Sequence, residues 1–276
     1  MCSYRLNVLG FPGSPGGPYN AALLDQRLAI EWIYENIAGF GGDPDRITLV
    51  GQSAGAYSVD FYTYAYPHNS LIAGTIQESG TAFAGFFINQ TNIAEAWYTT
   101  TQGVGCGNST SPVDAVMSCM KKVSWEDLLN ASPRGDPTRS FWPTIDNKVI
   151  FENYTERSAM GEIAKVPILI GNNDNESGLF VIDFLIFNLS DPIGYGPHFD
   201  LVHITCPAGQ RANASIENGL PTWRYRWFGD FPDLRLTQNP DSGAWHGEEI
   251  SQSYFPLILA MIFITIFGPM EYNNGV

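Results

Sequence analysis

The feature that most constrains this chain is a run of ten residues in its first quarter. Arg46-Ile-Thr-Leu-Val50 alternates apolar and polar residues and leads directly into Gly51-Gln52-Ser53-Ala54-Gly55, with an aromatic-rich stretch able to be helical behind it. That order reads as strand, sharp turn, helix. A serine at the tip of such a turn takes a strained backbone conformation. Its neighbours two residues away must lack side chains to clear the strand and the helix. Gly51 and Gly55 meet that demand, which makes Ser53 the candidate nucleophile and acyl transfer the candidate chemistry.

The pentapeptide alone would arise by chance in roughly one chain in ten of this length, so its context has to decide. Phe40-Gly41-Gly42 stands ahead of it with the strand between. The longer string F-G-G-x4-I-x-L-x-G-x-S-A-G resembles the serine signature of the type-B carboxylesterase/lipase family, which includes cholinesterases and fungal esterases. Tyr4 to Asn7 with Gly10-Phe11, Leu24 to Arg27, Trp32 to Ile37 and Gly74 to Gly80 extend the likeness, and Gln52, Pro221 to Arg226 and Gly229 to Pro232 lean fungal. The resemblance implies an α/β-hydrolase fold, a mostly parallel sheet with helices on both faces. It also implies a serine carboxylesterase that works through an acyl-enzyme with a Ser-His-Glu triad.

A serine hydroxyl needs a neighbouring base, commonly an imidazole held by a carboxylate, and in this fold the chain order is serine, acid, histidine. Val166 to Ile170 runs into Gly171-Asn-Asn-Asp-Asn-Glu176, which looks like the family's acid-bearing strand end and gives that role to Glu176, with Asp174 as its rival. His246, in Gly243-Ala-Trp-His-Gly247, resembles the catalytic-histidine loop. His198 and His203 precede the last strand and read as surface or core residues, and His68 reads as exposed. Ser79 resembles a family serine near the acid, although a buried structural hydroxyl is the simpler reading.

Ala54 N–H, next to the nucleophile, is the expected oxyanion donor. The family's further donors come from a Gly-Gly loop upstream of Tyr4, and neither Gly16-Gly17 nor Gly41-Gly42 fits it. The expectation is therefore an incomplete hydrolase domain over residues 1–276, without its first strands and oxyanion loop. Ser251 to Thr265 is expected to be a non-family insert before Ile266-Phe267-Gly268. The apolar run Leu257 to Phe267, which begins in it, is about half the roughly 20 residues that span a bilayer, so a membrane helix is not expected.

Local patterns give a strand at Tyr4–Leu9, a helix at Ala21–Ile37 with Leu24, Leu28 and Trp32 at four-residue spacing, and strands at Ile47–Val50, Ala73–Gln77, Pro167–Ile170 and Thr222–Phe228. Phe83 to Glu156 reads as mixed helices and loops. Alternating strands and helices argue a parallel sheet. With 44% apolar residues the chain can build a large core, and a charge of −14 without a basic stripe argues against nucleic-acid partners. The scattered histidines and cysteines predict neither a metal site nor a cofactor.

The family resemblance implies a disulfide between Cys106 and Cys119, which bracket a polar loop; Cys2 and Cys206 have no evident mates. Seven sequons occur against roughly two or three expected by chance. Glycosylation is expected at Asn89, Asn108, Asn130, Asn153, Asn188 and Asn213, Asn175 being the seventh sequon. These features suggest a secreted glycoprotein, although the first residues do not read as a signal peptide. Three functions fit: an esterase acting on small-molecule esters, a lipase of the same fold acting on lipid esters, and an inactive relative with a binding or scaffold role.

Overall fold

The computed structural model describes residues 2–87, 89–133, 141–186, 195–239 and 241–254. In chain order they form α1 (Asn7–Gly10), α2 (Ala21–Asn36), β1 (Thr48–Gln52), α3 (Ala54–Ala65), β2 (Gly74–Glu78), α4 (Gln90–Gly103), α5 (Val113–Met120), α6 (Trp125–Ala131), α7 (Tyr154–Ala159), β3 (Ile168–Asn173), α8 (Ser177–Ile186), α9 (Tyr195–Phe199), α10 (Cys206–Glu217), β4 (Thr222–Trp227) and α11 (Glu248–Tyr254). Two compact units result, Met1–Pro44 with Phe86–Asn153, and Asp45–Gly85 with Tyr154–Val276.

In the first unit the expected strand at Tyr4–Leu9 is replaced by α1. A strand needs a neighbour for its backbone groups, and among the described residues none pairs with this segment. Local bonds serve instead. Asn7 takes a positive φ of 52°, its side chain accepts from Val8 N at 2.6 Å, and Gly10 N donates to Leu6 O at 3.0 Å.

The α2 helix forms where the spacing places it, but it buries a different face. Leu23, Arg27 and Ile30 are buried, while Leu24, Leu28 and Trp32 face solvent. Trp32 packs instead on the exposed Phe40, with ring centroids 6.3 Å apart.

Helices α4, α5 and α6 close around Trp97, Val116, Met120 and Leu128, with Val8 joining them. Asn89 and Ser124 cap α4 and α6 by accepting from Asn92 N and Asp127 N, which satisfies amides that a helix start leaves free. Cys106 and Cys119 form the disulfide, with Cα atoms 5.5 Å apart, and Cys106 lies within this core. Cys2 and Cys206 are free and exposed.

The second unit is built on a four-stranded parallel sheet in the order β1-β2-β3-β4. Parallel neighbours require crossovers, so the strands alternate with helices. Ile168 and Ile170 of β3 pack on Ala208 and Ala212 of α10. The register sets Gln52 beside Glu78, Glu78 beside Gly171 and Asn173 beside Trp227. The carboxyl ends of all four strands are thereby brought level, which is where open α/β sheets gather their chemistry. The β1 strand is terminal, and its outer edge is unpaired among the described residues.

Asn188 and the segment from Phe255 onward, including most of the expected insert, lie outside the described residues. No helix among the described residues is long and apolar enough to cross a membrane.

Candidate active site

Ser53 stands between β1 and α3 with φ 52° and ψ −121°, a conformation that costs energy for any residue with a side chain. The surrounding backbone holds it there. Ser53 N donates to Glu78 O at 2.8 Å, and Ser53 O accepts from Tyr57 N at 3.0 Å. A Cβ on Gly51 would stand 2.3 Å from the Gly55 carbonyl, so this position admits only glycine. Gly55 differs from expectation: a Cβ there meets nothing among the described residues. Its backbone crowds Gly51, and its own lack of a side chain clears nothing. The next constraint lies one strand away, where a Cβ on Gly80 would be 2.6 Å from Ser53 O. Ala54, the expected oxyanion donor, opens α3 in the first turn, where helix amides lack an acceptor within the helix.

Glu176 follows the end of β3 and is fully buried. Its Oε1 accepts from Asn173 N at 2.6 Å and from Ser79 Oγ at 2.6 Å. Its Oε2 lies 2.6 Å from Nδ1 of the buried His246. Bonds to an ionised carboxylate are the strong kind, and three of them fix this side chain. A proton on Nδ1 directed at Glu176 leaves Nε2 as the acceptor of the ring. His246 Nε2 is buried and makes no hydrogen bond with any described residue. Phe180 packs beside the ring with centroids 5.3 Å apart.

The structure therefore brings Glu176 and His246 together and places Asp174, His198, His203 and His68 in other surroundings. Asp174 is exposed and pairs with Arg226 at 2.7 Å. His198 is exposed on α9, His203 packs on Phe199 at 5.1 Å, and the His68 side chain is 81% exposed near Glu162. The elbow is joined to the acid through a single dipeptide. Glu78 O receives the Ser53 amide, while the adjoining Ser79 hydroxyl binds Glu176. Gly247, next to His246, lies against the elbow too: a Cβ there would be 3.5 Å from Gln52 Nε2.

Ser79, which the resemblance set near the acid, is buried and binds it through its hydroxyl. Other contributors are invisible in sequence. Asn173 binds Glu176 through its backbone amide. Its side-chain amide holds Trp245 O at 2.6 Å and also binds the Glu249 carboxylate. Below the elbow, buried Asp60 of α3 accepts from Thr81 Oγ1 at 2.7 Å and from Ala82 N at 2.9 Å, and pairs with buried Arg211 at 2.5 Å. This pair anchors the turn that follows Ser79. The only hint in the sequence was the pair of asparagines that ends an otherwise apolar strand.

Burial shifts the acidity of the neighbourhood. Glu78 is pushed up to about 7 by burial and then by the charge of Glu249, and burial likewise raises Glu249. Glu248 rises to about 7 and Asp200 to about 6, both chiefly through burial. The Tyr57 phenol is raised by burial and then by Glu176. Among the described residues no group of three or more His, Cys, Asp or Glu is arranged to hold a metal. Of the sequons, Asn89, Asn108, Asn130, Asn153 and Asn213 are exposed, and Asn175 is half-buried.

Comparison with known proteins bears on the family and the fold. The carboxylesterase family profile matches residues 1–190. A chlorogenic acid esterase of Aspergillus niger is 39% identical over 255 residues, covering 91% of this chain and 48% of that protein. Secreted lipase 5 of Gibberella zeae is 35% identical over 279 residues, covering 90% and 49%. The solved structure of Aspergillus niger EstA superposes with a TM-score of 0.73 at 24% identity, over 90% of this chain and 56% of that one, a likeness that speaks for the fold. The chain spans about half the length of the curated relatives it matches.

Proposed function

The chain belongs to the carboxylesterase family, and on that footing we propose that it hydrolyses carboxylic esters through an acyl-enzyme on Ser53. The observation that carries this reading is the buried Glu176–His246 pair, whose outer nitrogen has no partner among the described residues. An imidazole held by a carboxylate on one side and unbonded on the other is prepared to take a proton.

Ser53 Oγ attacks the ester carbonyl and gives its proton to His246 Nε2. Glu176 stabilises the imidazolium through Nδ1–H and remains ionised. Ala54 N–H donates to the oxyanion as the tetrahedral intermediate forms. Collapse expels the alcohol, which takes the proton back from Nε2. Water then yields a proton to Nε2 and attacks the acyl carbon, and collapse of the second tetrahedral intermediate releases the acid as Ser53 Oγ takes that proton back from Nε2.

Small-molecule esters are the substrate class, by analogy with an esterase named for chlorogenic acid; the lipase relative makes long acyl chains the alternative. The Cys106–Cys119 disulfide, the exposed sequons and a relative named as secreted support an extracellular glycoprotein.

A fluorophosphonate probe with p-nitrophenyl acetate, butyrate and a long-chain ester tests the reading. Labelling and turnover are expected, both abolished in Ser53→Ala, with the short esters preferred. Preference for the long chain would favour the lipase alternative. Folded protein that neither labels nor turns over would overturn the assignment.

A further inference from the structure

Asn175 stands one residue before the acid, in the sequon Asn175-Glu176-Ser177, and it is half-buried. Its contacts lie on the histidine loop. The side-chain amide Nδ2 donates to Ser242 O at 2.8 Å, and the backbone N donates to Ala244 O at 3.1 Å. Asn173, two residues earlier, donates to Trp245 O at 2.6 Å. Three carbonyls of the segment that leads into His246 are thus received by the two asparagines that flank Asp174. Ser242, Ala244 and His246 are all buried. A carbonyl that loses its donor in such a place is left with its full desolvation cost.

The fit around this nitrogen is close. A Cβ on Gly178 would stand 2.9 Å from Asn175 Nδ2 and 2.1 Å from Ser242 O, and a Cβ on Gly243 would stand 3.2 Å from the same nitrogen. On these two sides there is room for an amide and none for a further group on it. Glycosylation would join Nδ2 to the anomeric carbon of an oligosaccharide carried on a lipid diphosphate, as the nitrogen gives up a proton and the lipid diphosphate leaves. The atom that would carry the sugar is therefore the atom that docks the loop. At the exposed sequons Asn89 and Asn108 the side-chain atom bonded among the described residues is the oxygen, which accepts from Asn92 and from Thr110. A sugar on the nitrogen breaks none of those bonds.

We propose that Asn175 is a positioning residue that seats the His246 loop on the acid, and that a glycan at this sequon and a seated base exclude each other. A chain glycosylated there keeps Ser53 and loses the base that activates it. The consequence for catalysis rests on the acyl-enzyme reading, whereas the seat is a property of the fold alone.

The test begins with chain made in a bacterial periplasm, free of N-glycans, as wild type, Asn175→Ala and Asn175→Asp. The aspartate keeps the shape and lacks the donor. Three quantities are read: the number of Ser53 sites titrated by a fluorophosphonate, turnover of p-nitrophenyl acetate per titrated site, and hydrogen exchange of the amides at 242–247. Both variants should keep their sites and lose roughly tenfold to hundredfold in kcat per site, with KM little changed. Exchange at 242–247 should quicken by roughly tenfold. Fewer sites at unchanged turnover per site, failure of both variants to fold, or wild-type values throughout would each overturn the seat. Wild type secreted from a yeast is then captured on a biotinylated fluorophosphonate, and its glycans are mapped by enzymatic release in heavy-oxygen water. Captured molecules should carry no sugar at Asn175, and sugar there overturns the exclusion. A wild type that folds and never labels counts against the acyl-enzyme reading alone, and exchange at 242–247 still judges the seat.

Discussion

In the second unit Glu176, Glu249, Asp60 and Arg211 are each at most 2% exposed, whereas in the first unit Leu28, Trp32 and Phe40 are each more than half exposed. Burying a charge is costly unless it is paired and hydrogen-bonded, so each buried group in the second unit comes with partners that fix its position. Glu176 has three and Asp60 has Thr81, Ala82 and Arg211. The α2 stripe has no such partners, and helical spacing alone sufficed to make the helix. Concealed charge therefore marks where the fold is over-determined. Contiguous exposed apolar surface marks where it is not, and such surface favours association.

The contrast can be attacked first at its strongest point. Glu176→Gln keeps the shape but cannot hold an imidazolium, and the second-order labelling rate should fall by about 10³ to 10⁴-fold with the melting temperature little changed. A loss below tenfold would show that the carboxylate is structural.

Asp60→Asn strands the Arg211 charge in the interior. Urea unfolding should register a loss of about 3–5 kcal/mol, and a loss under 1 kcal/mol would mean that the pair is dispensable.

In the first unit, Cys119→Ser opens a loop with a sequence separation of 13 residues. It should cost about 3 kcal/mol, read by helical circular dichroism in denaturant with and without reductant. Insensitivity to reductant in the wild type would contradict it.

The smallest effect is expected for Leu28→Ser with Trp32→Ser. Stability should move by no more than about 0.5 kcal/mol, because no buried contact is lost, while self-association measured by sedimentation should weaken. A large loss of stability would mean that the stripe is covered after all.

What could be read from the sequence follows the range of the forces involved. Strands β2, β3 and β4 and helix α2 are legible because apolar runs and helical spacing are local signals. Ser53, Glu176 and His246 are legible because a strained turn and its family context leave a signature in the chain. The segment Tyr4–Leu9 alternates like a strand, but pairing depends on a neighbour far away in sequence, and here local bonds prevailed. Which face of α2 is buried is also a tertiary outcome, so Leu24, Leu28 and Trp32 misled. Asn173 and Ser79 act through contacts across 72 and 97 positions, and no spacing rule reaches that far.

Asn173 has one more effect. By gripping the carboxylate with its amide and the histidine loop with its side chain, it gives acid and base a common mount. Thermal drift of the strand end then carries both groups in the same direction, and the gap between them is preserved while the whole assembly shifts. Fluctuations of this unit should therefore alter the approach to Ser53 far more than they disturb the relay behind it.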